Sequence, residues 1–146
     1  MRRLLQSILT ILLLSALGAN VQSQTTKNSQ MFNSFWTEFK AAVAKGDKEA
    51  VASMTRFPFY LDKELTKAEF IRKYNVVFNR PIQRCIARTK PTNDYQAYLK
   101  MLKQYPKQQL PKQDDTGSYS LYCGEEIYLF AIVDGKYKFT EIGVND

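Results

Sequence analysis

The sequence predicts an α+β protein, with helices first and an antiparallel sheet after them. Between Phe32 and Leu102 the apolar residues fall into segments of helical spacing. From Tyr119 onward the period shortens to that of strands. Asp134-Gly135 then supplies a strong two-residue hairpin signal between the last two of them. Segregated helices and strands, as opposed to alternating ones, are the mark of this class.

The chain opens with a leader. Arg2 and Arg3 are basic, and Leu4 to Leu17 is apolar but for Gln6, Ser7, Thr10 and Ser15. Val21-Gln22-Ser23 fits a cleavage site with small or aliphatic side chains at its key positions. The pattern reads as a secretory signal peptide over residues 1–23, cut after Ser23. A retained anchor is the competing reading, but a bilayer span needs about 20 apolar residues. No cysteine lies near the cleavage region, which argues against a lipid anchor. Nothing later is long and apolar enough to span a bilayer. The expected product is exported, periplasmic or extracellular. Its length of about 123 residues suits one domain with a real core. Residues 24–30 are polar and read as a disordered start, leaving 31–146 as a single α+β domain.

Phe32, Phe35, Trp36, Phe39 and Val43 form one stripe of a helix over about 31–45. Gly46 suits its left-handed end, and Asp47 can cap a second helix carrying Ala50, Val51 and Met54. Phe57-Pro58 breaks the pattern, because the residue before proline is pushed towards extended geometry. Residues 57–61 therefore read as a short strand or crossover. Thr66 and Glu69 form a capping box that opens a helix bearing Phe70, Ile71, Tyr74, Val77 and Phe78. Pro81 reads as its end. Residues 82–88 are open between helix and strand, and 90–93 reads as a loop. Asp94 is the expected cap of a helix with Tyr95, Tyr98, Leu99 and Leu102 on one face. A polar connection runs from Pro106 to Gly117.

Strands are expected over Tyr119–Cys123, Glu126–Val133 and Lys136–Val144. With a two-residue turn, Ile132 faces Tyr137, Phe130 faces Phe139 and Tyr128 faces Glu141. One face of the hairpin is then aromatic, with a single carboxylate. The 126–133 strand is apolar on both faces, so it belongs inside the sheet and not at its edge.

The net charge of +7 falls to +5 without Arg2 and Arg3. The basic residues are spread from Lys40 to Lys90, which reads as a solvated positive surface with no nucleic-acid stripe. A mild preference for anionic ligands, glycans or membrane surfaces is the alternative. Cys85 and Cys123 stand open between two readings. In an oxidising compartment they would pair, closing a loop worth about 3–4 kcal/mol in the chain-entropy model. Otherwise they are two buried thiols acting as small hydrophobes.

The run Phe35-Trp36-Thr37-Glu38-Phe39-Lys40-Ala41-Ala42-Val43 is followed by Gly46-Asp47-Lys48-Glu49-Ala50-Val51-Ala52-Ser53-Met54. Phe57-Pro58-Phe59, the helix from Lys67 to Phe78 and the closing Val133-Asp134-Gly135-Lys136-Tyr137-Lys138-Phe139 continue the order. Together they resemble the nuclear transport factor 2-like superfamily, the cone fold shared with ketosteroid isomerases. The resemblance implies a strongly curved sheet wrapped around a long helix, with a cavity in the cone. It also implies homodimer pairing through the sheet as an option. Residues 84–117 depart from the pattern and read as holding an extra helix in place of two of the family's strands.

The chain has no histidine, so the commonest metal ligand and the commonest neutral-pH base are missing. Two cysteines alone do not make a zinc site, no Ser-His or Cys-His nucleophile can form, and no phosphate-cradling loop is present. No metal or other cofactor is expected. Glu141 is the weak catalytic candidate, from its inferred place beside Tyr128; a solvated strand end is the competing reading. Asp62 reads as a turn residue. No catalytic aspartate of the isomerases transfers, since no matching motif surrounds one. The candidate ligand-binding residues are Tyr60, Tyr119, Tyr128, Phe130 and Tyr137, because tyrosine and phenylalanine suit an apolar pocket with a few polar groups; a plain core is the alternative. The expected role is non-catalytic binding of a small molecule or an envelope protein through the cone or the sheet face. The alternatives are a small isomerase or hydratase using a pocket carboxylate, and an inhibitor or immunity-type protein.

Overall fold

The structure, a computed structural model, describes residues 26–105 and 115–144. The expected leader and most of the polar connection lie outside the described residues. Helix α1 covers residues 26–45, and α2 is Lys48–Ser53. Strands β1 (Phe59–Tyr60) and β2 (Glu64–Leu65) precede α3 (Lys67–Val77) and α4 (Arg80–Arg88). Then follow β3 (Thr92–Asn93), α5 (Asp94–Gln104), β4 (Tyr119–Cys123), β5 (Glu126–Val133) and β6 (Lys136–Val144). The main sheet is antiparallel in the order β3-β4-β5-β6, and β1 and β2 form a small separate pair. The helices pack against this curved sheet, so the class is α+β as expected. The apolar strand β5 is interior.

Local chemistry explains most boundaries. At the end of α1, Gly46 N–H donates to Val43 O and Asp47 N–H to Ala42 O, with Gly46 at φ +67°. This Schellman arrangement satisfies carbonyls the helix leaves open. Asp47 then caps α2 through Ala50 N–H at 3.0 Å. Thr66 and Glu69 form both bonds of the capping box that starts α3. The hairpin turn Asp134-Gly135 has φ of 50° and 75°, the left-handed pair that a two-residue turn needs.

Several expectations are corrected. Residues 26–30 are helical and continue α1, where a disordered start was expected. Asn28 and Ser29 are half-buried there, close to the turn at Gly117 and to Tyr119. Pro81 does not end α3. It sits in the first turn of α4, where its missing N–H costs nothing, behind an Asn79 cap on Ile82 N–H at 3.1 Å. Residues 82–88 are thereby helical. Asn93, one residue before the expected Asp94, caps α5. Thr92–Asn93 is a short strand against β4, where a loop was expected.

The register of the β5–β6 hairpin holds near the turn, with Ile132 opposite Tyr137 and Phe130 opposite Phe139. It then slips at a bulge. Leu129 pairs with Glu141 and Tyr128 with Ile142, so Thr140 is the extra residue. Its hydroxyl donates to Leu129 O at 3.1 Å. A bulge bends its strand and sharpens the local twist, which suits a sheet that curves around α1. At the far side of β6, Arg56 N–H donates to Phe139 O at 2.8 Å and Phe139 N–H to Met54 O at 2.9 Å. This parallel bridge at Thr55 ties the exit of α2 to the middle of β6.

Cys85 and Cys123 form a disulfide, with Cα atoms 5.8 Å apart. It staples α4 to the end of β4. Among the described residues no helix is long and apolar enough to cross a membrane.

Candidate functional site

The interior of the cone is occupied by the protein's own rings. Phe32, Phe39, Tyr128, Phe130 and Phe139 are each 0% exposed. Phe32 of α1 stacks on Tyr119 at 3.5 Å between centroids. Phe39 meets Phe130 edge-on at 5.4 Å, and Phe130 meets Phe139 at 5.7 Å. Trp36 closes on Phe130 at 5.6 Å. Edge and offset contacts of this kind favour dense packing over a lined void.

This packing decides the place of four of the five candidate ligand-binding residues. Tyr119, Tyr128, Phe130 and Tyr137 are core side chains; the Tyr119 hydroxyl donates to Ser29 Oγ at 3.5 Å, and those of Tyr128 and Tyr137 donate to backbone carbonyls. Tyr128 donates to Val77 O at 2.8 Å and lies 2.9 Å from the Glu126 carboxylate. Tyr137 donates to Gly117 O at 2.8 Å. Burial pushes both phenols above the ordinary tyrosine range, with Glu126 adding to the effect at Tyr128. They remain protonated donors. Tyr137 also shows its edge to a shallow groove of about 370 Å³ between α1 and the hairpin turn, beside Met31, Phe35 and Met54.

Tyr60 is different. Strand β1 turns it outward, and it is 62% exposed. It lines an open groove of about 410 Å³ with Arg56, Phe57, Pro58, Glu64, Thr140 and Glu141. The cis Phe57-Pro58 peptide and the β1–β2 pair, in which Tyr60 faces Glu64, make one wall. The bulge of β6 makes the other and brings Glu141 to the rim. Glu141 is thus not beside Tyr128, as the unbulged register had it, but on the outer face opposite Leu129, exposed to water. The groove unites Tyr60 and Glu141, two residues singled out separately in the sequence. It adds Arg56 and Glu64, which sequence reasoning missed because nothing local marks two exposed charges as neighbours of a strand far along the chain.

The groove offers an apolar floor from Phe57, Pro58 and the Tyr60 ring, one guanidinium and two carboxylates. That set can hold a ligand with an aromatic or aliphatic body and charges of both signs. A carboxylate acting as a general base at neutral pH needs an enclosed apolar setting, and both here are exposed. Asp62 lies outside the groove, where its bond to Lys73 Nζ at 3.0 Å holds its carboxyl below the usual range. Among the described residues no group of three or more His, Cys, Asp or Glu converges as a metal site would require.

No family model, curated protein or solved structure matches the chain.

Proposed function

We propose that this chain is an exported member of the nuclear transport factor 2-like superfamily acting as a non-catalytic binding protein. Its ligand sits in the open Tyr60 groove and not inside the cone. The observation that carries the reading is the filled interior. With Phe130 and its neighbours occupying the cone, the recognition surface moves outward to the exposed ring of Tyr60. The disulfide supports an oxidising compartment. The mixed charges of Arg56, Glu64 and Glu141 favour a small zwitterion, or a peptide carrying an aromatic side chain between opposite charges. The same filled cone favours, as a second reading, an inhibitor or immunity-type protein that works by surface complementarity.

The test is an NMR titration of the isotope-labelled chain with L-phenylalanine, L-phenylalanine amide and phenylacetate. Saturable shifts should centre on Tyr60, Glu64 and Glu141, with the zwitterion tightest, and should vanish in Tyr60→Ser. Shifts that map elsewhere, or that survive in the Tyr60→Ser protein, refute the groove.

A further inference from the structure

Residues 70–93 hold six basic side chains and no carboxylate. Three of them, Arg80, Arg84 and Arg88, recur every fourth residue on α4. At about 100° and 1.5 Å per residue, Arg84 points directly away from the buried pair Ile82 and Ile86, and the row spans about 12 Å of helix axis. All three arginines are exposed. None has a carboxylate partner among the described residues, whose ion pairs are Lys63–Glu69 and Lys73–Asp62.

This arrangement works against its own helix. Like charges four residues apart repel. The first turn of α4 carries Arg80 and no acid, the reverse of what the helix dipole favours, and only Arg88, in the last turn, sits where the dipole welcomes a cation. The helix is held instead by its Asn79 cap, by burial of Ile82 and Ile86 and by the disulfide at Cys85. A local electrostatic conflict maintained by outside supports marks a surface kept for something other than stability.

Arg80 and Arg84 of the row also border a concave seam, and Arg88 continues the row one turn beyond its lining. Arg80, Gln83, Arg84 and Ala87 line, with Ala44 of α1, a groove of about 440 Å³. Ala44 and Ala87 keep its floor low, so a second chain can lie close to both helices. Guanidinium forks pair bidentately with carboxylates, and the staple to β4 fixes the helix that carries the row before any partner arrives. The repeat of about 6 Å along the row matches acidic residues four apart on a helix. We propose that the α1–α4 seam is a docking surface for an acidic segment of another protein, read by Arg80, Arg84 and Arg88. This surface uses none of the residues of the Tyr60 groove, so either assignment can fail alone.

The experiment is fluorescence anisotropy of a labelled glutamate-rich helical peptide against the disulfide-intact protein at several salt concentrations. The triple variant R80Q/R84Q/R88Q should bind at least ten-fold more weakly. The control K67Q/K100Q/K103Q removes the same charge from exposed positions on α3 and α5 and should stay within two-fold. Ala44→Glu, which sets a carboxylate in the seam at the loss of one charge unit, should weaken binding by a similar ten-fold. Unchanged circular dichroism and melting temperatures no lower than the parent's certify the folds, and the arginine triple should melt slightly higher as its repulsion is relieved. Equal weakening by both triples would reduce the effect to diffuse charge and overturn the proposal. So would undiminished binding by Ala44→Glu, absence of binding to the peptide at low salt, or tighter arginine-dependent binding to heparin or to phosphatidylglycerol vesicles.

Discussion

Phe130→Ala tests most directly whether the cone is full. Phe130 is 0% exposed, and five rings surround it: Phe32, Phe35, Trp36, Phe39 and Phe139, at centroid distances of 6.1, 5.8, 5.6, 5.4 and 5.7 Å. Truncating a fully buried Phe costs about 3–5 kcal/mol, from lost transfer energy and the cavity left behind. That range already includes the ring contacts, each worth about 0.5–1.5 kcal/mol beyond area. A value of about 4 kcal/mol is therefore the expectation. With a urea slope of about 2 kcal/mol per molar, the midpoint should fall by about 2 M. A domain of this size loses about 4 °C per kcal/mol, so Tm should fall by about 15 °C. The cavity should be dry and apolar, like engineered cavities that take up benzene, so benzene should raise the Tm of Phe130→Ala and leave the parent unchanged. Phe130→Leu, closer in volume, should cost about 1.5 kcal/mol or less. A loss below about 1 kcal/mol for Phe130→Ala, with no response to benzene, would mean that the side chain borders a void already present, and the reasoning about a filled interior would fail.

Three further outcomes are expected. Replacing Cys85 and Cys123 together with serine should lower unfolding stability by about 3–4 kcal/mol, matched by a melt of the parent in reductant, while a thiol titration of the native protein should find no reactive cysteine. At Gly117 (φ +70°), an added Cβ would lie 3.0 Å from the Tyr137 hydroxyl and 3.2 Å from both Asn28 Nδ2 and Ile132 Cδ1. Gly117→Ala should therefore cost about 2–3 kcal/mol in denaturant titration, about 1–2 from left-handed strain and the rest from the displaced Tyr137 bond; a neutral result would contradict that packing. The Glu69 carboxyl is held down to about 2 by the Thr66 backbone N–H, the Thr66 hydroxyl and Lys63. Because its folded pKa lies below the ordinary 4.5, its contribution is complete above that value and disappears as pH falls through about 2. Unfolding free energy measured against pH should lose part of its acid slope in Glu69→Gln, and an unchanged slope would show that the capping box does not form.

The sequence made the elements legible where a local rule has no competitor. The stripe from Phe32 to Val43, the capping box at Thr66 and Glu69 and the left-handed turn at Asp134-Gly135 are each complete within a few residues. The errors lie where two local signals overlap. Pro81 both ends helices and opens them, and only the cap at Asn79 decides between the two roles. Asn93 and Asp94 are both good caps, and the pairing of Asn93 with Tyr119 selects the first. The candidate site was less legible because it depends on a single bulge. One extra residue at Thr140 moves Glu141 from the aromatic face to the outer one, and nothing in the apolar alternation announces it. The aromatic residues were identifiable as a group, but whether they line a space or fill it depends on how far the sheet curls around α1. Tyr60 came out exposed because β1 is a two-residue strand with only its Phe59 side buried.

The bridge at Thr55 bears on how the protein behaves in company. An antiparallel sheet ordinarily ends in strands whose outer N–H and C=O groups can recruit a second molecule and seed fibres. Here one border is β3, two residues long. The other is β6, whose midpoint at Phe139 is already plugged by the backbone from Met54 to Arg56. What remains open among the described residues is broken into short stretches: Leu121 to Cys123 of β4 beyond β3, and on β6 one stretch carrying Lys136 and Lys138 and another kinked at Thr140. Among the described residues a neighbour therefore finds no long continuous ladder to extend, which works against growth from edge to edge.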